Sequence, residues 1–194
     1  MKLLELFSGT GSVRKAVGDK FDEIVSIDIL QKYKPTECCN ILEWDFKKYP
    51  PGYFDVIWAS PPCTEYSKVL NGRPNRIRDI SGANRIVAKT IEIINYFNPS
   101  KWYIENPQTG LLKNQEIVFG IPFVDVDYCM YGFQYRKRTR IWTNKNYVGK
   151  LCTKQCGSFV DGKHLRSCGN GRYNPVGLNQ KYSIPPKLIM ELLE

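Results

Sequence analysis

Apolar residues along the chain fall into short blocks separated by polar turns rich in glycine and proline. Lys2-Leu3-Leu4-Glu5-Leu6-Phe7 reads as a strand, and Ser8-Gly9-Thr10-Gly11 as a tight turn. Ser12 to Lys20 carries apolar residues at helical spacing (Val13, Ala16, Val17), and Glu23 to Asp28 reads as a second strand ending in an acid. Phe54-Asp55-Val56-Ile57-Trp58-Ala59 has the apolar density of a strand buried on both faces, and Pro61 and Pro62 stop it. From Ala83 to Phe97 the spacing of Ile86, Thr90, Ile93, Ile94 and Phe97 predicts an amphipathic helix, ended by Asn98-Pro99. Lys101 to Glu105 follows as a strand. Pro122–Cys129 and Thr139–Thr143 read as an antiparallel pair joined near Gly132. A last helix runs from Pro186 to Leu193 with proline at its start. Strands alternating with helices predict an α/β, Rossmann-like fold: a mostly parallel sheet with an antiparallel edge. Two stretches escape the pattern. Thr64 to Gly82 reads as a long basic loop, and Asn144 to Lys181 as an irregular insertion rich in Gly, Cys, Lys and Asn.

Charge sharpens this picture. The 194 residues hold 28 Lys and Arg against 19 Asp and Glu, a net charge of +9. The excess is clustered. Lys68, Arg73, Arg76, Arg78, Arg85 and Lys89 face one acid, Asp79, and ten basic residues lie between Arg136 and Arg172 against Asp161 alone. Clusters of this kind suit a phosphate backbone better than a plain solvated face, so double-stranded DNA is the expected partner class, with no membrane involved. No apolar run has membrane-spanning length, no secretory signal opens the chain, and seven cysteines is an odd number. These features point to a reducing, cytoplasmic setting and to thiols that are buried, reactive or metal-bound.

Three motifs sit where strands are predicted to end. The turn Phe7-Ser8-Gly9-Thr10-Gly11 allows close backbone approach to a ligand, and Asp28 can accept two ribose hydroxyls. A third glycine and a phosphate-binding lysine are lacking, so S-adenosylmethionine fits better than a dinucleotide. Asp45 is a candidate acceptor for the adenine amine, or a simple loop acid. Ser60-Pro61-Pro62-Cys63 places a thiol on a stiff turn at a strand's carboxyl end. Tyr103-Ile104-Glu105-Asn106-Pro107 brings a carboxylate to the same edge. A fourth motif, Gln134-Tyr135-Arg136-Lys137-Arg138, puts Arg136 and Arg138 on one face by alternation.

Taken in order, Leu6-Phe7-Ser8-Gly9-Thr10-Gly11, Ser60-Pro61-Pro62-Cys63 with Ser67, Glu105-Asn106 and Gln134-x-Arg136-x-Arg138 resemble the cytosine-5 DNA methyltransferases over residues 3 to 143. The resemblance implies the S-adenosylmethionine-dependent methyltransferase fold. It implies a catalytic core over residues 1–143, a reduced target recognition region over 144–181 and a C-terminal helix over 182–194 that returns to the core. It assigns the cofactor to Phe7, Ser8, Gly9, Thr10, Gly11, Asp28, Asp45 and Pro61. Cys63 becomes the nucleophile toward carbon 6 of a flipped cytosine, Glu105 the holder of the ring nitrogen and amine, and Arg138, supported by Arg136, the partner of the carbonyl oxygen. Three departures stand out: Pro107 where the family has valine, Glu65 close after the cysteine, and the small recognition region. The last leaves a partner or second copy as a source of recognition. The same chemistry on RNA, or a silent DNA-binding relative, remain open, and the composition suits a bacterial, phage or viral source. Within the insertion, Cys152, Cys156, His164 and Cys168 have the residue types of a structural zinc site; the alternative is unrelated thiols.

Overall fold

The computed structural model describes residues 1–72, 75–168 and 173–194. Arg73 and Arg172, counted in the basic clusters above, lie outside the described residues. Seven strands form one sheet: β1 (Lys2–Leu6), β2 (Glu23–Asp28), β3 (Glu37–Cys38), β4 (Val56–Ala59), β5 (Lys101–Pro107), β6 (Phe123–Asp127) and β7 (Arg138–Thr143). Their order is β3-β2-β1-β4-β5-β7-β6. β3 through β5 are parallel, and β7 runs antiparallel to both β5 and β6. The chain thus works outward from β1 and then crosses back to β4. The carboxyl ends of β1 and β4 diverge at that switch point, where open α/β sheets form their crevice.

The strands alternate cleanly between two cores. Leu4 and Leu6 of β1, Ile57 of β4 and Ile104 of β5 pack under α2 (Ile80–Phe97) through its Val87, Ile93 and Phe97. On the other face Leu3, Val56, Trp58 and Tyr103 pack against α1 (Ser12–Val17) and α4 (Pro186–Leu193), chiefly Val13, Val17, Leu188 and Leu192. α2 starts three residues before the predicted Ala83 because the Asp79 side chain caps it, accepting from the Gly82 amide at 2.7 Å. It ends at Asn98, in the left-handed conformation (φ 47°).

The predicted loop from Thr64 holds a 3-10 turn, Lys68–Gly72, and its last residues, from Ile80, belong to α2. The insertion holds a two-stranded hairpin, β8 (Phe159–Val160) with β9 (Lys163–His164), and a short helix, α3 (Leu178–Tyr182). β3, only two residues long, escaped the sequence reading because no periodicity exists over so short a stretch.

Candidate active site

A cavity of about 390 Å³ opens at the carboxyl ends of β1, β2, β4 and β5. Its first wall is the turn after β1. Phe7 (φ 58°), Gly9 (φ 44°) and Gly11 (φ 69°) all occupy the left-handed region. Glycine adopts it freely, whereas for Phe7 it is strained, a feature that clusters at ligand sites. The Asp28 carboxylate locks the turn, accepting from Gly9 N at 2.7 Å and from Leu30 N at 2.8 Å. Ser8 Oγ is buried beside the cavity and has no hydrogen-bond partner among the described residues, which leaves it available to a ligand. Below the turn, buried Glu5 accepts from the Val13 and Arg14 amides at the start of α1. Burial pushes its carboxyl up to about 7 despite those two bonds. On the far side α4 packs on α1, and Ser12 Oγ accepts from Ile184 N at 3.1 Å, which brings Tyr182 and Ile184 to the cavity rim.

The second wall is chemical. Pro61, Cys63, Glu105 and Lys137 line it together. Ser60 N still bonds Leu6 O, so the Pro-Pro turn begins from a strand end that is fixed. Asn106 Nδ2 donates to Pro61 O at 2.9 Å, tying that turn to the end of β5. Adjacent strand residues face opposite ways, so Asn106 holds the turn while Glu105 faces the side of Tyr103. Glu105 is buried; Tyr128 Oη donates to its Oε1 at 2.8 Å, and Lys137 Nζ lies 3.6 Å from the same oxygen. Burial pushes the Cys63 thiol up; Lys137 draws it down and Glu105 raises it further. Glu65, close after the cysteine in sequence, pairs with Arg76 and accepts from Asp79 N. Pro107 ends β5, where a missing N–H is tolerated, and lines the cavity.

Three expected residues stand apart. Asp45 is exposed and outside the cavity wall, which is formed there by Cys39, Asn40 and Ile41. Arg136 and Arg138 share a face as expected, but both reach Asp127, at 3.2 and 2.8 Å, and neither lines the cavity. Burial opposes ionisation of Asp127, yet bonds from Arg138, from the Cys152 amide and from Arg136 hold its carboxyl below the usual range. Lys137, between the arginines, is what the chain presents to the crevice. The alternation that groups the arginines puts Lys137 on the opposite side, but which side meets the crevice depends on the order of strands in the sheet.

With this geometry fixed, the comparison with known proteins is decisive. The profile described as C-5 cytosine-specific DNA methylase matches residues 1–136. The chain belongs to that family. A probable DNA (cytosine-5)-methyltransferase of Frog virus 3 (isolate Goorha) is 34% identical over 217 aligned positions, covering 100% of this chain and 99% of the relative. Among solved structures, the Entamoeba histolytica methyltransferase EhMeth aligns with TM-score 0.55 and 15% identity, over 78% of this chain and 57% of its own length. The Schizosaccharomyces pombe Dnmt2 methyltransferase aligns with TM-score 0.54 and 16% identity, over 80% and 57%. These two likenesses establish the methyltransferase fold, and the chain spans little more than half of either protein. By family the chain is a DNA (cytosine-5)-methyltransferase.

Outside the crevice, this DNA methylase family member brings together Cys129, Cys152, Cys156 and His164, whose ligand atoms all lie within 4.8 Å of one another. The expected fourth member, Cys168, is not in this group. Cys129, from the turn that follows β6, takes its place, a residue distant in sequence that no spacing within the insertion could reveal. Among the described residues all seven cysteines are free, and no helix is long and apolar enough to cross a membrane.

Proposed function

We propose that the protein methylates carbon 5 of cytosine in DNA through a transient covalent bond from Cys63. The observation that carries this reading is the convergence of Cys63, Glu105 and Lys137 on one cavity wall, facing the glycine turn. Cytosine carbon 5 is a weak nucleophile. Addition of the Cys63 thiolate to carbon 6 breaks the 5,6 double bond and moves its electron pair toward carbon 5. Glu105 would accept from the exocyclic amine and share a proton with ring nitrogen 3, which offsets the negative charge as the adduct forms. Lys137 stands beside Glu105 and stabilises the thiolate electrostatically. Carbon 5 would take the methyl group with that electron pair, the donor's sulfur keeping the electrons of the broken S–C bond and leaving as a neutral thioether. Loss of the carbon 5 proton to a base and expulsion of Cys63 from carbon 6 then restore the 5,6 double bond and free the enzyme.

S-adenosylmethionine supplies the methyl group in this chemistry. The unpartnered Ser8 Oγ, the left-handed turn over Phe7, Gly9 and Gly11, and the Asp28 carboxylate fit such a ligand. Phe7, Ser8, Gly9, Thr10 and Pro61 would frame it and Asp28 would receive the ribose. Asn40 and Ile41 replace Asp45 as the residues facing the adenine.

A base inside a duplex is out of reach of so enclosed a thiol, so the substrate cytosine must be turned out of the stack. The decisive experiment is trapping on duplex DNA containing 5-fluorocytosine with S-adenosylmethionine. Wild type should form a complex stable to denaturant, and Cys63→Ala should form none and transfer no methyl group. Methyl transfer by Cys63→Ala at the wild-type rate would remove the mechanism.

A further inference from the structure

The geometry of the cysteine and histidine cluster outside the crevice carries one more step. Cys152 Sγ lies 3.6 Å from Cys156 Sγ, and His164 Nε2 lies 3.5 and 3.4 Å from the two sulfurs. A disulfide would bring sulfurs to about 2.05 Å, so these are not bonded thiols. A tetrahedral zinc, with Zn–S of about 2.3 Å and Zn–N of about 2.0–2.1 Å, has S–S edges of about 3.8 Å and S–N edges of about 3.6 Å. The observed distances match those edges. Lys154 N donates to Cys152 Sγ at 3.4 Å, as an amide does toward a thiolate. Phe159 sets its ring edge-on against His164 at 5.2 Å and fixes the imidazole plane.

We propose that Cys129, Cys152, Cys156 and His164 bind one structural Zn²⁺ that rivets the insertion to the catalytic core and positions Glu105. Three sulfurs and one nitrogen close the coordination sphere, so the site holds the metal without an open catalytic position. The hairpin β8–β9 has two residues per strand and cannot hold itself together, so the metal supplies what a core would. Three of the ligands come from the insertion and the fourth from the core. Cys129 directly follows Tyr128, the donor to Glu105. Cys152 N donates to Asp127 Oδ2 at 2.8 Å, on the other side of Tyr128. The metal therefore clamps both neighbours of the residue that orients the carboxylate. This second part rests on the role proposed for Glu105; zinc binding itself does not.

Zinc content of the full-length protein, freshly purified without added metal, decides the first part. About one zinc per chain is expected, lost in Cys129→Ser and retained in Cys168→Ser. Metal-free wild-type protein, or loss from Cys168→Ser with retention in Cys129→Ser, overturns it. Replacement by Co²⁺ gives a readout independent of folding yield: wild type should show thiolate-to-cobalt charge-transfer absorption, and its absence also overturns the site.

The second part is read by stripping zinc with a chelator and restoring it. The turnover number should fall about tenfold or more and recover with zinc, while KM for S-adenosylmethionine stays within about twofold. Tyr128→Phe should lower turnover likewise while keeping its zinc. Unchanged turnover in stripped protein, or in Tyr128→Phe, breaks the link to Glu105 and leaves the metal site standing. Failure of the methyltransferase reading would instead show as no methyl transfer from zinc-loaded wild type.

Discussion

Lys137 carries the clearest residue-level consequence. Its ammonium is the main group drawing down a thiol that burial and Glu105 push up. Lys137→Met removes the draw and leaves both upward pushes. Turnover at neutral pH should fall about tenfold, and the acidic limb of the pH–rate profile should move to higher pH. An unmoved limb would mean that Lys137 serves only to bind substrate. Glu5 makes a second case. Its carboxyl ordinarily titrates well below neutrality, but burial in β1 raises it to about 7 in the folded protein. The native state therefore holds a proton that the unfolded state has released, and stability falls as pH rises from below the ordinary glutamate range through about 7. Denaturant titrations should show wild type less stable at pH 8 than at pH 5, with Glu5→Gln flattening that change by on the order of 2–3 kcal/mol. Equal slopes in the two proteins would place the titration elsewhere.

At the scale of elements, the loop after Cys63 is internally braced. Arg78 donates to the Glu65 carbonyl at 2.7 Å and the Ser67 carbonyl at 2.8 Å, and Arg76 pairs with Glu65. Two arginines of the basic cluster thus shape the loop. Among its exposed side chains are two apolar ones: Ile77 is 94% exposed and Val69 67%. An exposed branched side chain on the loop that follows Cys63 has the shape of a wedge for the gap that the proposed base flipping would leave. Ile77→Ala should lower kcat/KM about tenfold on a matched duplex and much less on a target cytosine already mispaired, because mispairing removes most of the flipping cost. Equal losses on both substrates would assign Ile77 to folding or to general DNA contact. The sequence located β5 to within two residues of its end and β7 to within one of its start, and period-two alternation grouped Arg136 with Arg138. Which face met the crevice needed the sheet order, and that order turns Lys137 inward and the arginines toward Asp127.

For the whole molecule, the balance of catalysis and recognition is uneven. The residues that build the cavity come from the ends of four parallel strands and the turns after them, from Ile86 of α2, from Lys137 between the arginines, and from Tyr182 and Ile184 just before α4. The insertion is the segment outside the catalytic core that the sequence reading proposed for target recognition. Bisulfite sequencing of DNA from cells expressing the protein should therefore show methylated cytosines in a short or relaxed context. A long, strict site would show that a partner or a second copy completes the reading surface. Strong salt dependence of DNA binding should accompany this, since a net charge of +9 favours backbone contacts.

The sequence by itself determined the α/β class, the strand ends that bear Cys63 and Glu105, the glycine turn with Asp28, and the C-terminal helix. Those rest on local periodicity and turn chemistry, which a single strand or helix carries in its own residues. Tertiary structure alone decided the rest. It exchanged Asp45 for Asn40 and Ile41 at the cavity wall, Cys168 for Cys129 in the thiol cluster, and Arg136 and Arg138 for Lys137 beside Glu105. Each exchange involves groups brought together by how elements pack, and spacing along the chain holds no record of distance across a sheet.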